Sequence, residues 1–184
     1  LGLDAINDWS HFRMDSKAAH SGWVISQHLN SDTGSFDPLS TSYITKLFKL
    51  HARDAGEWPN ANLKISIANV MQSTNTDVDG YGTFDVLLRR AQDSDSNLQI
   101  VEQFSQCNLN PHSPNYIARK IGDQFTQWDD TERRFRTYGD YPNASRHVRV
   151  EVNNEVALGA TDPALLPFGF HGPFKPSAFK IVEF

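Results

Sequence analysis

The chain has 184 residues, 39% of them hydrophobic, which is enough for one well-packed domain with or without an extended appendage. Its formal charge is −5, with 22 acidic residues against 17 basic ones spread along the chain, so no basic stripe offers itself to a phosphate backbone and direct nucleic-acid binding is not expected. The single Cys107 excludes an internal disulfide and a thiolate zinc site and fits a reducing cytoplasm, while no run approaches the ~18 apolar residues that span a bilayer.

The first stretch, LGLDAINDW, lacks the basic and then apolar regions of a signal peptide, so a soluble chain without membrane insertion is expected. It starts on Leu1 rather than Met, and a processed product or a part of a longer polypeptide is expected. Residues 1–42 read as an irregular N-terminal region, with partial helix over LGLDAINDWSHFRMDSKAAH and a loop over NSDTGSFDPLSTS, where Gly34 and Pro38 stand among small polar residues. From Tyr43 the pattern changes to YITKLFKLHARD, a strand with Ile44, Lys46, Phe48 and Leu50 on one side. A turn over AGEWPNAN, rich in Gly56, Pro59 and Asn, then separates it from LKISIANV. In that strand Leu63, Ile65 and Ile67 alternate with Lys64, Ser66 and Ala68, the period of two that sets one face on a core.

The next stretch, NTDVDGYGTFDV, poses a choice. Asn75, Asp77 and Asp79 recur at alternate positions before Gly80, as in a calcium loop, but the position for the closing bidentate Glu holds Val86, with Asp85 one place early. The flanks are strands, since Phe84, Val86 and Leu88 alternate with Asp85, Leu87 and Arg89. The reading is therefore a hairpin-like connection in which Gly80 and Gly82 supply positive φ angles. A short strand from Leu98 to Phe104 follows, with Leu98, Ile100 and Phe104 as its apolar face. Ser113 is then expected to cap a short helix with Pro114 at its first position and Ile117 and Ile121 on one face, ended by Gly122. QWDDTERRFRTYGDYPNAS reads as charged, aromatic and turn-rich, and HVRVEVNNEV as a strand with Val148, Val150 and Val152 on one side. The end of the chain sets Pro163, Pro167, Pro173 and Pro176 among Phe168, Phe170, Phe174 and Phe179. Prolines so spaced forbid helix interior and central strand, so this part runs extended and should lie on a neighbouring surface of this chain or of another subunit. Trp58 is expected in the core. The fold class read from this order is α+β: a mixed β-sheet of several strands with a few short flanking helices and an extended Pro/Phe-rich C-terminal segment. The divisions are 1–42, an α+β core over 43–152, and 153–184 as an extended segment or the start of a further domain.

The motifs of catalysis are missing. The seven His residues, at 11, 20, 28, 51, 112, 147 and 171, show no metal-ligand spacing. Asp129, Asp130 and Glu132 are followed at once by Arg133, Arg134 and Arg136, which points to a salt-bridged surface rather than a general acid in an apolar pocket. There is no nucleophile elbow, phosphate loop or dinucleotide fingerprint, and the sequon Asn143-Ala-Ser145 reads as chance. No catalytic, cofactor-binding or metal residue is assigned, and no enzyme activity is expected.

Several segments in order resemble one family. LFKLHARDAGEWPNANLKISI (47–67), YGTFDVLLRRAQDSDSNLQIVEQFSQCNLNPHSPNYIARKIGD (81–123), RTYGDYPNASRHVRVEV (136–152) and LPFGFHGP (166–173) are similar to tail sheath proteins of contractile, myovirus-type bacteriophages. The resemblance covers about residues 43–175. It implies a fragment of a structural subunit that stacks with neighbouring sheath subunits around an inner tail tube protein, in a virion assembled in the bacterial cytoplasm. It implies contraction that drives the tube through the host envelope, with no cofactor. Two rival readings come from other classes: a calcium-dependent, lectin-like binding module with Asp77, Asp79, Asp93 and Asp95 as ligands, and a virion-attached hydrolase with Asp129, Asp130 or Glu132 as its acid.

Overall fold

The period of two starting at Phe48 builds the first sheet. In the computed structural model, which describes residues 17–27, 44–56, 58–77 and 79–172, strand β3 (Lys46–Ala55) turns Phe48, Leu50 and Ala52 inward. Strands β1 (Ala18–His20) and β2 (Val24–Ile25) follow one another along one edge of β3, and β9 (Val148–Val152) lies along the other, all antiparallel. Both β1 and β2 lie in the stretch read from sequence as irregular. They are too short to show a periodic signal of their own.

A second sheet is a meander of β4 (Leu63–Met71), β5 (Thr83–Arg90) and β6 (Ile100–Cys107). It faces the first sheet: Phe48 and Phe84 stack across the gap with centroids 5.8 Å apart. Phe84, Val86 and Leu88 meet Leu50, Val148 and Val150 in one core. Helix α2 (Ile117–Ile121) contributes Ile117 and Ile121, both fully buried, and α3 (Asn154–Ala157) contributes Val156. The third sheet is a two-stranded hairpin, β7 (Phe125–Asp129) with β8 (Arg134–Tyr138). The protein is therefore mostly β, with three short helices among the described residues.

Several expectations change. The named strands pair antiparallel in separate sheets rather than in one mixed sheet. The turn over AGEWPNAN closes into helix α1 (Trp58–Asn62), and Trp58 is 55% exposed, stacked on His147 at 5.9 Å rather than buried. Its place at the start of a one-turn helix leaves no second layer to cover it. Neither Gly80 nor Gly82 adopts a positive φ. Both are glycines because of crowding, since a Cβ on Gly82 would lie 2.4 Å from the Met71 carbonyl oxygen and one on Gly80 would lie 2.9 Å from Pro163.

Leu98 and Ile100 are exposed, and β6 buries its far end instead, at Cys107. Ser113 does not cap α2. Its hydroxyl accepts from the Asn115 N–H and from the Asn108 side chain in the preceding turn, and the helix starts after Tyr116. Gly122, at φ 101°, ends the helix as expected. The hairpin over 125–138 is absent from the sequence reading because its charged alternation resembles a loop. Tyr43, most of the two N-terminal readings, and Pro173, Phe174, Pro176 and Phe179 lie outside the described residues.

Candidate functional site

The outer face of the meander carries charge where the core face carries hydrocarbon. On β5, Asp85, Leu87 and Arg89 alternate with the core residues, yet all three are buried. Arg89 forks onto Asp93, with Nε to Oδ2 at 2.7 Å and Nη2 to Oδ1 at 2.8 Å. Lys64 reaches the same Oδ1 at 2.7 Å, and the Gln99 N–H donates to Oδ2 at 2.9 Å. Asp95 accepts from Arg89 Nη2 at 3.0 Å. Burial alone would raise the Asp93 carboxyl, but the Arg89, Lys64 and Gln99 donors overcome it and hold Asp93 at about 2. Charges in a water-poor interior persist only when paired and hydrogen-bonded in this way.

This cluster also grips another part of the chain. Arg89 Nη1 and Ser66 Oγ both donate to the His171 carbonyl oxygen, at 3.0 and 2.6 Å. The segment around it, residues 165–172, crosses from one sheet to the other as a strap. Gln27 N donates to Leu166 O at 2.8 Å, and Ile67 and Phe170 exchange both backbone hydrogen bonds, at 2.8 and 3.0 Å. The extended course expected for the proline-rich end holds over these residues, and its contact surface is this chain. Between the strap and the edges of the two sheets lies an open, apolar groove of about 570 Å³, lined by Trp23, Ile25, Leu63, Ile65, Phe168 and Phe170 among others.

The hairpin β7–β8 forms a second exposed surface. Cross-strand pairing puts Trp128 opposite Phe135 on one face, and Phe125 opposite Tyr138 on the other. Phe125 and Tyr138 stack at 5.5 Å and Arg149 covers the Phe125 ring at 4.4 Å, so that face is tied to the body. The Trp128 and Phe135 rings meet edge to face at 5.2 Å and stay open, Phe135 at 71% exposure. At the tip, Asp129 Oδ1 accepts from the Thr131 and Glu132 N–H groups, and Arg133 takes φ 51° to close the turn. Arg134 pairs with Glu132, and Arg136 with Glu132 and Asp129. Asp129, Asp130 and Glu132 thus stand on an exposed, ion-paired tip.

The residues weighed as calcium ligands are not brought together as a ligand set. Asp93 and Asp95 are bonded to Arg89, Asp77 and Asp79 are exposed, and Asp79 Oδ1 accepts from the Tyr81 N–H. Among the described residues no group of three or more His, Cys, Asp or Glu side chains converges as a metal site. His20 and His51 approach at 5.5 Å, and His51 Nε2 donates to Glu151 Oε2 at 2.7 Å, which also meets Lys49. Burial, then the Arg149 charge, lowers the His51 pKa against the pull of Glu151. Cys107 is buried, and burial pushes its thiol up to about 12. No helix among the described residues is long and apolar enough to cross a membrane.

The residues that sequence reasoning missed are Trp128 and Phe135, whose signal was their cross-strand spacing about a DDTERR turn. No family model, curated protein or solved structure matches this chain.

Proposed function

We propose that this chain is a structural subunit of a contractile phage tail sheath, assembling with neighbouring copies around an inner tail tube and contracting to drive that tube through the host envelope. The ordered resemblance of residues 43–175 to sheath proteins motivates the reading. The observation that carries it in the folded chain is the exposed Trp128–Phe135 face on a hairpin with its other face tied to the body. Aromatic residues on an exposed, well-formed surface are what interfaces use as anchors. A two-stranded hairpin gains from such an anchor, because two strands alone are marginal in water.

Head-to-tail contacts between unlike surfaces generate rings or open helices, the geometry a sheath requires. The strap, held at the His171 carbonyl by Arg89 and Ser66, bonds to both sheets, and in this reading a change of state repacks interfaces rather than the subunit. Electron microscopy of the purified protein tests the reading. Hollow tubes or rings of repeating subunits are expected, and their loss in Trp128→Ser/Phe135→Ser with cooperative unfolding retained. A protein that stays monomeric at all concentrations imaged would overturn it.

A further inference from the structure

A second cleft, of about 250 Å³, opens where the base of hairpin β7–β8 meets β9 and α3, and its walls include Tyr116, Asp123, Phe125, Tyr141 and Arg149. Tyr116 is only 3% exposed, and its ring meets Tyr141 edge to face at 5.9 Å. Its hydroxyl has no hydrogen-bond partner among the described residues, yet it is not sealed from solvent as Asn108 Oδ1 and Asn143 Oδ1 are. A buried ring with its one polar atom unpaired at the wall of a cleft keeps that atom for whatever enters. Arg149 is in the same condition. Its half-buried guanidinium lies 4.4 Å over the Phe125 ring and has neither a carboxylate nor a carbonyl partner among the described residues. A flat fork of N–H donors held on an aromatic face matches a planar acceptor with two oxygens.

A carboxylate alone does not suit these walls, which also hold Asp123, Asp140 and Glu151. Glu151 is taken up by Lys49 and His51, at 3.2 and 2.7 Å. Asp123 Oδ1 accepts from the Tyr141 N–H at 2.8 Å, which leaves its second oxygen, and Asp140 has no partner among the described residues. Asp123 is close enough for its charge to act on both donors. Burial, Tyr141 and Asp123 raise the Tyr116 hydroxyl, which therefore stays protonated, while burial lowers the Arg149 guanidinium against the pull of Glu151 and Asp123. A pure anion would meet these carboxylates and a pure cation would meet Arg149, whereas a molecule carrying both charges answers both.

We propose that this cleft binds a free α-amino acid with a small apolar side chain. Its carboxylate accepts from Arg149 and the Tyr116 hydroxyl, its ammonium donates to Asp123 and Asp140, and its side chain lies among Phe125, Val152 and Ala157. The volume of about 250 Å³ is just below the ~300–1,000 Å³ of pockets for drug-sized ligands, which suits a molecule of amino-acid size. Such a site is independent of sheath assembly.

The test follows amide shifts by NMR in the full chain with three probes: L-valine, isovalerate, which lacks its ammonium, and isobutylamine, which lacks its carboxylate. Saturable shifts at Gly139, Tyr141 and Arg149 are expected with millimolar L-valine. The other two probes should bind at least about tenfold more weakly, each having lost a charge-assisted contact. Tyr116→Phe should weaken L-valine about tenfold, while its melting temperature stays the same or rises, since the hydroxyl bonds nothing in the free chain. A lower melting temperature would make the hydroxyl structural and overturn the proposal. So would an absence of shifts with L-valine, equal binding of isovalerate, which marks a plain anion site, or equal binding of isobutylamine, which marks a plain cation site. Arg149→Gln is expected to abolish binding, and where that chain does not fold, Tyr116→Phe decides.

Discussion

At Asp85, one side chain holds two irregularities of the meander. Its Oδ2 accepts from Asn69 Nδ2 at 2.8 Å and its Oδ1 from the Gln106 N–H at 2.7 Å. Asn69 and Gln106 are positive-φ residues, at 50° and 56°, and each sits where the register of its strand slips. Asp85→Ala removes the acceptor shared by the Asn69 side chain and the Gln106 N–H, both on exposed residues, and is expected to destabilise by about 0.5–1.5 kcal/mol, read from the urea midpoint. Arg89→Met strips Asp93 of its main partner and leaves a buried carboxylate. A loss of about 3–5 kcal/mol is expected from the same measurement. Asp93 also sets an acid limit. Its folded pKa of about 2 lies below the ordinary 3.8, so its contribution is complete above about 3.8 and falls away as pH drops toward 2. Urea titrations between pH 5 and 2.5 should show a steeper loss for the native chain than for Asp93→Asn. These residues were visible in the sequence only as LLRRAQDSD, where nothing marks which charges turn inward.

At the scale of the element, alternation was legible where one face meets hydrocarbon. Phe84, Val86 and Leu88, then Val148 and Val150, lie in the core that their spacing implied. The same rule misled where the second face was covered as well: Lys64 and Ser66 read as solvent positions but are buried beneath the strap. Hairpin β7–β8 shows the opposite case, a strand pair without a hydrophobic face of its own size. Trp128→Ser with Phe135→Ser removes an aromatic pair from an exposed site. The melting temperature of the body is expected to change by no more than a few degrees, because neither ring is in the core. A cooperative loss of the whole fold would make the hairpin part of the body.

At the scale of the molecule, the two sheets share one core but are joined at their open side by the strap, which bonds Gln27 and Ile67 in turn. Gly82 packs where β4, β5 and the strap converge, with a Cβ there lying 2.8 Å from Leu166. Gly82→Ala is expected to cost about 1–3 kcal/mol through overpacking, measured by calorimetry. Millimolar calcium should leave the melting temperature unchanged. A calcium module would instead gain about 2.7 kcal/mol at 100 times its dissociation constant, and such a rise would return the lectin-like reading.

Sequence alone determined the alternating strands, the helix stop at Gly122 and the extended course of LLPFGF, because each rests on local sterics or on burial of one face. The functional proposal starts from a resemblance read in the sequence, and it remains a proposal. Only tertiary structure decided that Trp58 stays outside, that Arg89 and Asp93 go inside, and that Trp128 and Phe135 share an open face. Those outcomes depend on which surfaces meet across long separations in the chain, and periodicity carries no record of a residue's distant partner.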